Sequence, residues 1–253
     1  MSESIPDSLT LNLPEGLGRD ELKSFKPFQS WISTLNNSLS LQSQTTHPFH
    51  SDPYALRSVT VQSFDRFGGS RLGFVKLSAT VSNSASEALP AAALLRGPSV
   101  AMLVMLIPDD LPASSDERYA VLTVQPRVPA GSLGFVELPA GMVDDAGSFK
   151  EQLPRRWRRN SASRSRRMSW TAAGDVSQRR GCDEHITIYS YERRIPRDQL
   201  REWSGRLTGL RDHGEKITLK VVPMKDLWRE GARDAKALAA VALWEGLRRE
   251  GKV

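Results

Sequence analysis

The chain has 253 residues, is 39% hydrophobic and 25% charged, and carries a formal net charge of +6. That length buries a sizeable core, as one domain or as one domain with a small extension, and the composition is that of an ordinary soluble globular protein. The longest apolar run, residues 100–107, is far too short for a bilayer span of about 20 residues. Cys182 is the only cysteine, so an intrachain disulfide and a cysteine zinc cluster are excluded and an intracellular, cytoplasmic setting is expected.

The start, M-S-E-S-I-P-D-S-L, has no basic region followed by an apolar one, so no signal or transit peptide is expected. The positive charge is local. Residues 151–180 hold nine arginines against Glu151 and Asp175, and the rest of the chain is nearly neutral.

Residues 1–19 read as loose. Residues 20–38 read as one or two short helices broken at Pro27, with Phe25, Phe28, Trp31, Ile32 and Leu35 on an apolar face. Residues 39–53 read as a polar linker. Alternation then predicts strands at 58–64, through Val59, Val61 and Phe64, and at 71–81, through Leu72, Phe74, Val75 and Leu77. The Arg66-Phe67-Gly68-Gly69 turn joins them into a hairpin. Residues 100–107 are almost wholly apolar, which predicts a central strand, and 119–124 predicts another beyond a polar loop at 109–117.

Further on, 185–192 alternates as a strand through Ile186, Ile188 and Tyr191. Residues 196–207 read as a helix, 216–222 as a strand, and 223–228 as a turn or short helix. Residues 233–249 predict an amphipathic helix with Ala235, Leu238, Ala239, Ala242, Leu243 and Leu247 on one stripe. This order predicts helices on the faces of a mixed sheet.

Two adjoining stretches disagree in chemistry. Residues 136–147, V-E-L-P-A-G-M-V-D-D-A-G, read as a buried strand entering a glycine turn with the acid pair Asp144–Asp145 behind it. Residues 151–170, E-Q-L-P-R-R-W-R-R-N-S-A-S-R-S-R-R-M-S-W, are arginine and serine where an acidic, metal-holding helix would complete such a site.

The first stretch sits in Q-P-R-V-P-A-G-S-L-G-F-V-E-L-P-A-G-M-V-D-D, residues 125–145, which resembles the start of a Nudix box in the ADP-sugar pyrophosphatase branch. The flanks agree in order: L-R-S-V-T-V-Q-S-F-D-R-F-G (56–68), L-L-R-G-P-S-V-A-M-L-V (94–104), G-C-D-E-H (181–185), T-G-L-R-D-H-G-E-K-I-T-L-K-V-V-P (208–223) and D-L-W-R-E-G-A-R-D-A-K (226–236). The resemblance covers residues 50–150 and 181–250.

It implies an α+β fold, a Nudix α/β/α sandwich with a mixed sheet, preceded by a small β-rich part. The division implied is an extension and linker at 1–53, a β-hairpin region at 54–95 and a Nudix domain at 96–250, interrupted by the aberrant segment 151–180. It also implies cleavage of an ADP-sugar, ADP-ribose or ADP-glucose, to AMP and a sugar phosphate with Mg²⁺, or Mn²⁺ in its place. The partners implied are the substrate and a second copy of the chain, a homodimer, with neither membrane nor nucleic acid.

Carried over residue by residue, the resemblance makes the Ala140 carbonyl a metal ligand and Gly141 the turn at the phosphates. Arg127 becomes a phosphate contact, for which a planar guanidinium is suited. Glu137 either contacts the nucleotide or caps its strand. Glu184 is the loop carboxylate that binds metal or acts as general base. Asp144 and Asp145 read as loop acids, Cys182 as a small buried residue, and His185 and His213 lack metal-ligand spacing.

The family box, G-x5-E-x7-R-E-U-x-E-E-x-G-U with U a bulky aliphatic, gathers glutamates three and four residues apart on one helix face, where they grip the same cations. With its first glycine at Gly141, the isolated E falls on Gly147 and the core falls on R-R-W-R-R-N-S-A-S, residues 155–163, which holds no carboxylate.

A shifted frame accounts for this. One G added after a Lys150 codon lets permitted codons for residues 151–170 also spell G-A-A-A-K-E-M-E-E-E-L-G-L-E-I-P-E-D-E-L, a near-complete Nudix helix absent from this chain. The arginine run therefore reads as a frameshifted or mis-spliced segment, with an Arg/Ser nucleic-acid-binding segment or a disordered, solvated loop as the alternatives.

Overall fold

The computed structural model describes residues 9–112, 115–142, 171–177, 181–205, 207–208 and 216–253. Asp144, Asp145, the arginine run 151–170 and His213 lie outside the described residues. The chain divides into two compact units, residues 1–98 with 177–185, and residues 99–176 with 186–253.

The first unit is a sheet faced by helices. Its strands are β1 (Thr10–Asn12), β2 (Ala55–Phe67), β3 (Arg71–Ser82), β4 (Ala88–Leu89) and β5 (Ala92–Leu95), in the order β1-β2-β3-β4 with β5 also on β3. The β2–β3 hairpin turns through Gly68 and Gly69, both at positive φ, which glycine adopts without a Cβ clash. Val59, Val61, Val75 and Leu77 point inward, as their alternation requires, onto Leu22, Phe28 and Ile32 of the helices α1 (Arg19–Ser24) and α2 (Lys26–Ser40).

Pro27 does not break a helix. It sits in the first turn of α2, where its missing N–H is no loss, and the chain bends at the extended Phe25 instead. The stretch 39–53 is also less loose than its polarity suggests. The buried Gln42 side chain accepts from Tyr54 N at 2.7 Å and donates to Tyr54 O at 2.9 Å, taking the place of a backbone pairing. Residues 181–183 run beside β5 through Leu94 N to Gly181 O at 2.8 Å and Asp183 N to Leu94 O at 3.2 Å.

The second unit is a mixed sheet with helices on its faces. Its strands are β6 (Ser99–Pro108), β7 (Tyr119–Arg127), β8 (Ser132–Glu137), β9 (Ala140–Met142), β10 (Thr171–Ser177), β11 (His185–Ile195), β12 (Leu207–Thr208) and β13 (Ile217–Pro223). The order is β10-β11-β6-β7-β13-β12, with β8 on β7 and β9 on β6. β6 runs parallel to β11 and antiparallel to β7 and β9, and every residue of β6 is buried, as its unbroken apolar run predicts.

Strand alternation splits β6 between two cores. Ala101, Leu103 and Met105 face one cluster with Leu122, Ile186, Ile188 and Trp244. Met102, Val104 and Leu106 face the other with Val121, Ile195, Leu200 and Leu219. Helix α5 (Ala235–Arg249) covers the first and α3 (Arg197–Trp203) the second. α3 stops at Trp203, short of the expected 207, because Leu207 and Thr208 pair with Thr218 and Ile217 as a strand.

The stripe expected on α5 holds in part. Ala239, Leu243 and Leu247 pack against the first cluster, while Ala235, Leu238 and Ala242 face out and the buried positions are Ala237, Ala240 and Trp244. Before this helix comes the short α4 (Leu227–Glu230), and a Cβ on Gly231 would stand 2.7 Å from the Ala237 Cβ, so the turn between them needs glycine.

Leu103 is fully buried at the centre of the second unit. Leu103→Ala is expected to cost about 2–5 kcal/mol in a urea unfolding titration, by lost transfer energy plus a cavity.

Candidate functional site

The β7–β8 hairpin brings two of the expected residues together. In the antiparallel register Thr123 faces Glu137 and Gln125 faces Phe135, but Arg127 faces Ser132 after a register shift. The shift is a local bulge, a device that re-aims a side chain at the end of a strand. Its result is an ion pair in which Arg127 Nε donates to Glu137 Oε1 at 2.6 Å. Gln125 Nε2 donates to the same oxygen at 2.9 Å.

Glu137 is 3% exposed, so its charge has to be matched in place. Its second oxygen is taken by Lys236 Nζ at 3.2 Å. Lys236 Nζ also donates to Asp234 Oδ1 at 2.7 Å, and Asp234 is equally buried. Asp234 is the N-cap of α5: its side chain accepts from Lys236 N, and the positive end of the helix macrodipole further stabilises its charge. Its other oxygen accepts from Leu138 N at 2.9 Å.

That last bond fixes the glycine turn. Leu138 N is held by Asp234, and Pro139 O accepts from Met102 N at 2.9 Å. Ala140 and Gly141 then enter β9 opposite Ala101 and Val100 of the central strand. Arg233 ties the far end of the hairpin to the same helix start, donating to Ala130 O at 3.1 Å and lying over the Phe135 ring.

Arg127 is half-exposed, and among the described residues only its Nε is engaged. Its Nη groups have no hydrogen-bond partner among the described residues, and a guanidinium so held can still offer donors to a phosphate. Of the residues expected from the sequence, Arg127, Glu137, Ala140 and Gly141 all belong to this hairpin-and-turn assembly. Sequence reasoning missed Asp234 and Lys236. The sole signal for them was R-D-A-K opening an amphipathic helix, with aspartate at the capping position.

Glu184 belongs to the first unit, where it pairs with Arg96 at 3.0 Å. Its neighbour Asp183 accepts from the backbone N–H groups of Arg96, at 2.7 Å, and Gly97, at 3.2 Å. Burial raises the Asp183 carboxyl above the ordinary range, against the opposing pull of those N–H groups. Cys182 is half-buried and its thiol is likewise raised by burial, which disfavours the nucleophilic thiolate.

The described donors do not suit a divalent cation. Among the described residues no three His, Cys, Asp or Glu side chains converge. Of the described carboxylates, the two tied to the glycine turn, Glu137 and Asp234, are already matched by Arg127, Lys236 and backbone N–H groups.

Over its whole length the chain is 32% identical to Nudix hydrolase 14, chloroplastic, of Arabidopsis thaliana, across 264 aligned residues that take in 80% of that protein. Among solved structures it is similar to an ADP compounds hydrolase, at 18% identity and a TM-score of 0.46, covering 79% of this chain and 99% of that one. It is also similar to a mutT/nudix family protein from Listeria innocua, at 13% identity and a TM-score of 0.38, covering 62% and 94%. Both structural likenesses are slight, and family membership rests on the Arabidopsis relative. No protein-family model matches the chain. Among the described residues no helix is long and apolar enough to cross a membrane.

Asp234→Ala removes a helix cap, leaves the buried Leu138 N–H without its acceptor and takes from Lys236 the nearer of its two carboxylates. It is expected to cost about 3 kcal/mol, read as a lowered urea midpoint at unchanged slope.

Proposed function

The chain belongs to the Nudix hydrolases, and from that premise we propose that its glycine turn receives the pyrophosphate of an ADP-sugar, ADP-ribose or ADP-glucose. The reaction of such a site is attack of water on one phosphorus, releasing AMP and the sugar phosphate. The observation that carries this reading is Arg127, held through Nε by a buried carboxylate with its Nη edge left for a phosphate.

A bound Mg²⁺ or Mn²⁺ would supply Lewis-acid neutralisation of the pyrophosphate and a more acidic attacking water. The chain's own part is narrower. Arg127 binds and orients one phosphate, the pinned 138–140 backbone keeps the turn open beside it, and Glu184 is a candidate for the family's loop carboxylate. The Ala140 carbonyl alone is a poor cation site without the carboxylates of the box, and residues 155–163 supply none. We therefore propose that this polypeptide binds the substrate and turns it over slowly, if measurably at all. The cause proposed is a shifted reading frame over residues 151–170. A homodimer in an intracellular compartment completes the reading, either the cytoplasm or the chloroplast named for the Arabidopsis relative.

A second reading rests on the nine arginines of residues 151–180, which suit a polyanion held without hydrolysis.

The test compares the chain as written with a variant whose residues 151–170 are replaced by the shifted-frame string. AMP release from ADP-ribose and ADP-glucose in Mg²⁺ is expected to be about a thousand-fold slower for the chain as written, a barrier difference of about 4 kcal/mol. Equal rates would overturn the reading. Salt-dependent RNA binding with no AMP release from either protein would favour the second. The genomic sequence around codon 150 tests the frame directly.

A further inference from the structure

We infer that Lys236 is a positioning residue for phosphate binding: by matching the charge of Glu137, it leaves the charge of Arg127 for the substrate. The inference rests on the reading of Arg127 as the phosphate contact, and it concerns a residue that touches no phosphate itself.

The charges around Glu137 form an ordered chain. Arg127 and Lys236 each hold one oxygen of this buried carboxylate, at 2.6 and 3.2 Å. Were Arg127 its only cation, the two would neutralise each other, and a neutral pair attracts a phosphate weakly. Lys236 relieves this. The charge of Asp234, which would otherwise claim Lys236, is met by the Leu138 and Lys236 backbone N–H groups and the start of α5. Lys236 Nζ stands 2.7 Å from Asp234 and 3.2 Å from Glu137, so it is shared between the two, and the charge of Glu137 is not met by Arg127 alone. The geometry of the guanidinium agrees, because a full salt bridge with Glu137 would draw in an Nη group as well as Nε, and only Nε is engaged among the described residues.

The experiment uses the full chain with ADP-ribose as the probe, read by titration calorimetry. Lys236→Met is expected to weaken binding about ten-fold. Lys236→Arg, which keeps the charge, is expected to retain binding. Adding Glu137→Gln to Lys236→Met is expected to recover most of the loss, since no anion is left to claim Arg127. A merely structural lysine also predicts recovery in the double variant, through refolding, so binding is compared at equal fraction folded, followed by circular dichroism at the titration temperature. A Lys236→Met chain that is fully folded and binds as tightly as the wild-type chain overturns the inference. Should Lys236→Met not fold, the double variant, which removes both charges of the pair together, carries the test by its comparison with the wild-type chain.

A second readout needs no ligand. Rotation of the Arg127 guanidinium about Nε–Cζ, followed by ¹⁵N NMR on arginine-labelled protein, is expected to slow in Lys236→Met and to recover in the double variant. An unchanged rotation rate overturns the inference. Failure of the wild-type chain to bind ADP-ribose counts instead against the proposed function.

Discussion

A carboxylate as buried as Glu137 cannot be left ionised without partners, and most of the site follows from how its charge is met. Two cations meet it, one at each oxygen, and they come from opposite ends of the second unit's sequence. Arg127 arrives on β7 through a bulge, and Lys236 arrives on the first turn of α5. The same helix start holds the Leu138 N–H through Asp234. One charge constraint therefore ties together the hairpin, the glycine turn and the C-terminal helix. Deleting one member of such a set leaves an uncompensated buried charge, which is far more damaging than removing an opposite pair together.

The apolar framework was legible in the sequence because it depends on periodicity alone. An unbroken apolar run at 100–107 has nowhere to lie except in the middle of a sheet covered on both faces, and β6 lies there. The alternation of Val59, Val61, Val75 and Leu77 likewise admits one inward face. The stripe of α5 was legible only in part because alanines are ambiguous. They are as stable on an exposed helix face as on a buried one, and the position of the Trp244 ring decides which face packs.

The site was legible only in part, for a different reason. Arg127, Ala140 and Gly141 stand in a contiguous motif, so the linear order displays them together. Asp234 and Lys236 are separated from Glu137 by about a hundred residues, and R-D-A-K looks like an exposed, solvated helix start. Their burial is a tertiary fact. Glu137 was open between a nucleotide contact and a strand cap for the same reason: its partners on α5 are invisible until the helix is docked.

On the proposed reading, fold and chemistry draw on different residues. Among the described residues the second unit is held by apolar clusters on either side of β6 and by the charge set around Glu137. A helix of glutamates adds little to such burial, because charged residues on a helix face stabilise it by only about half a kcal/mol per pair. On the proposed reading, a frame change confined to that helix would remove carboxylates that suit a divalent cation and would leave in place the strands, the pinned turn and Arg127. On that reading, binding and turnover would be assigned to separate stretches of sequence, the arginine and glycine turn before the box helix and the cation ligands on it.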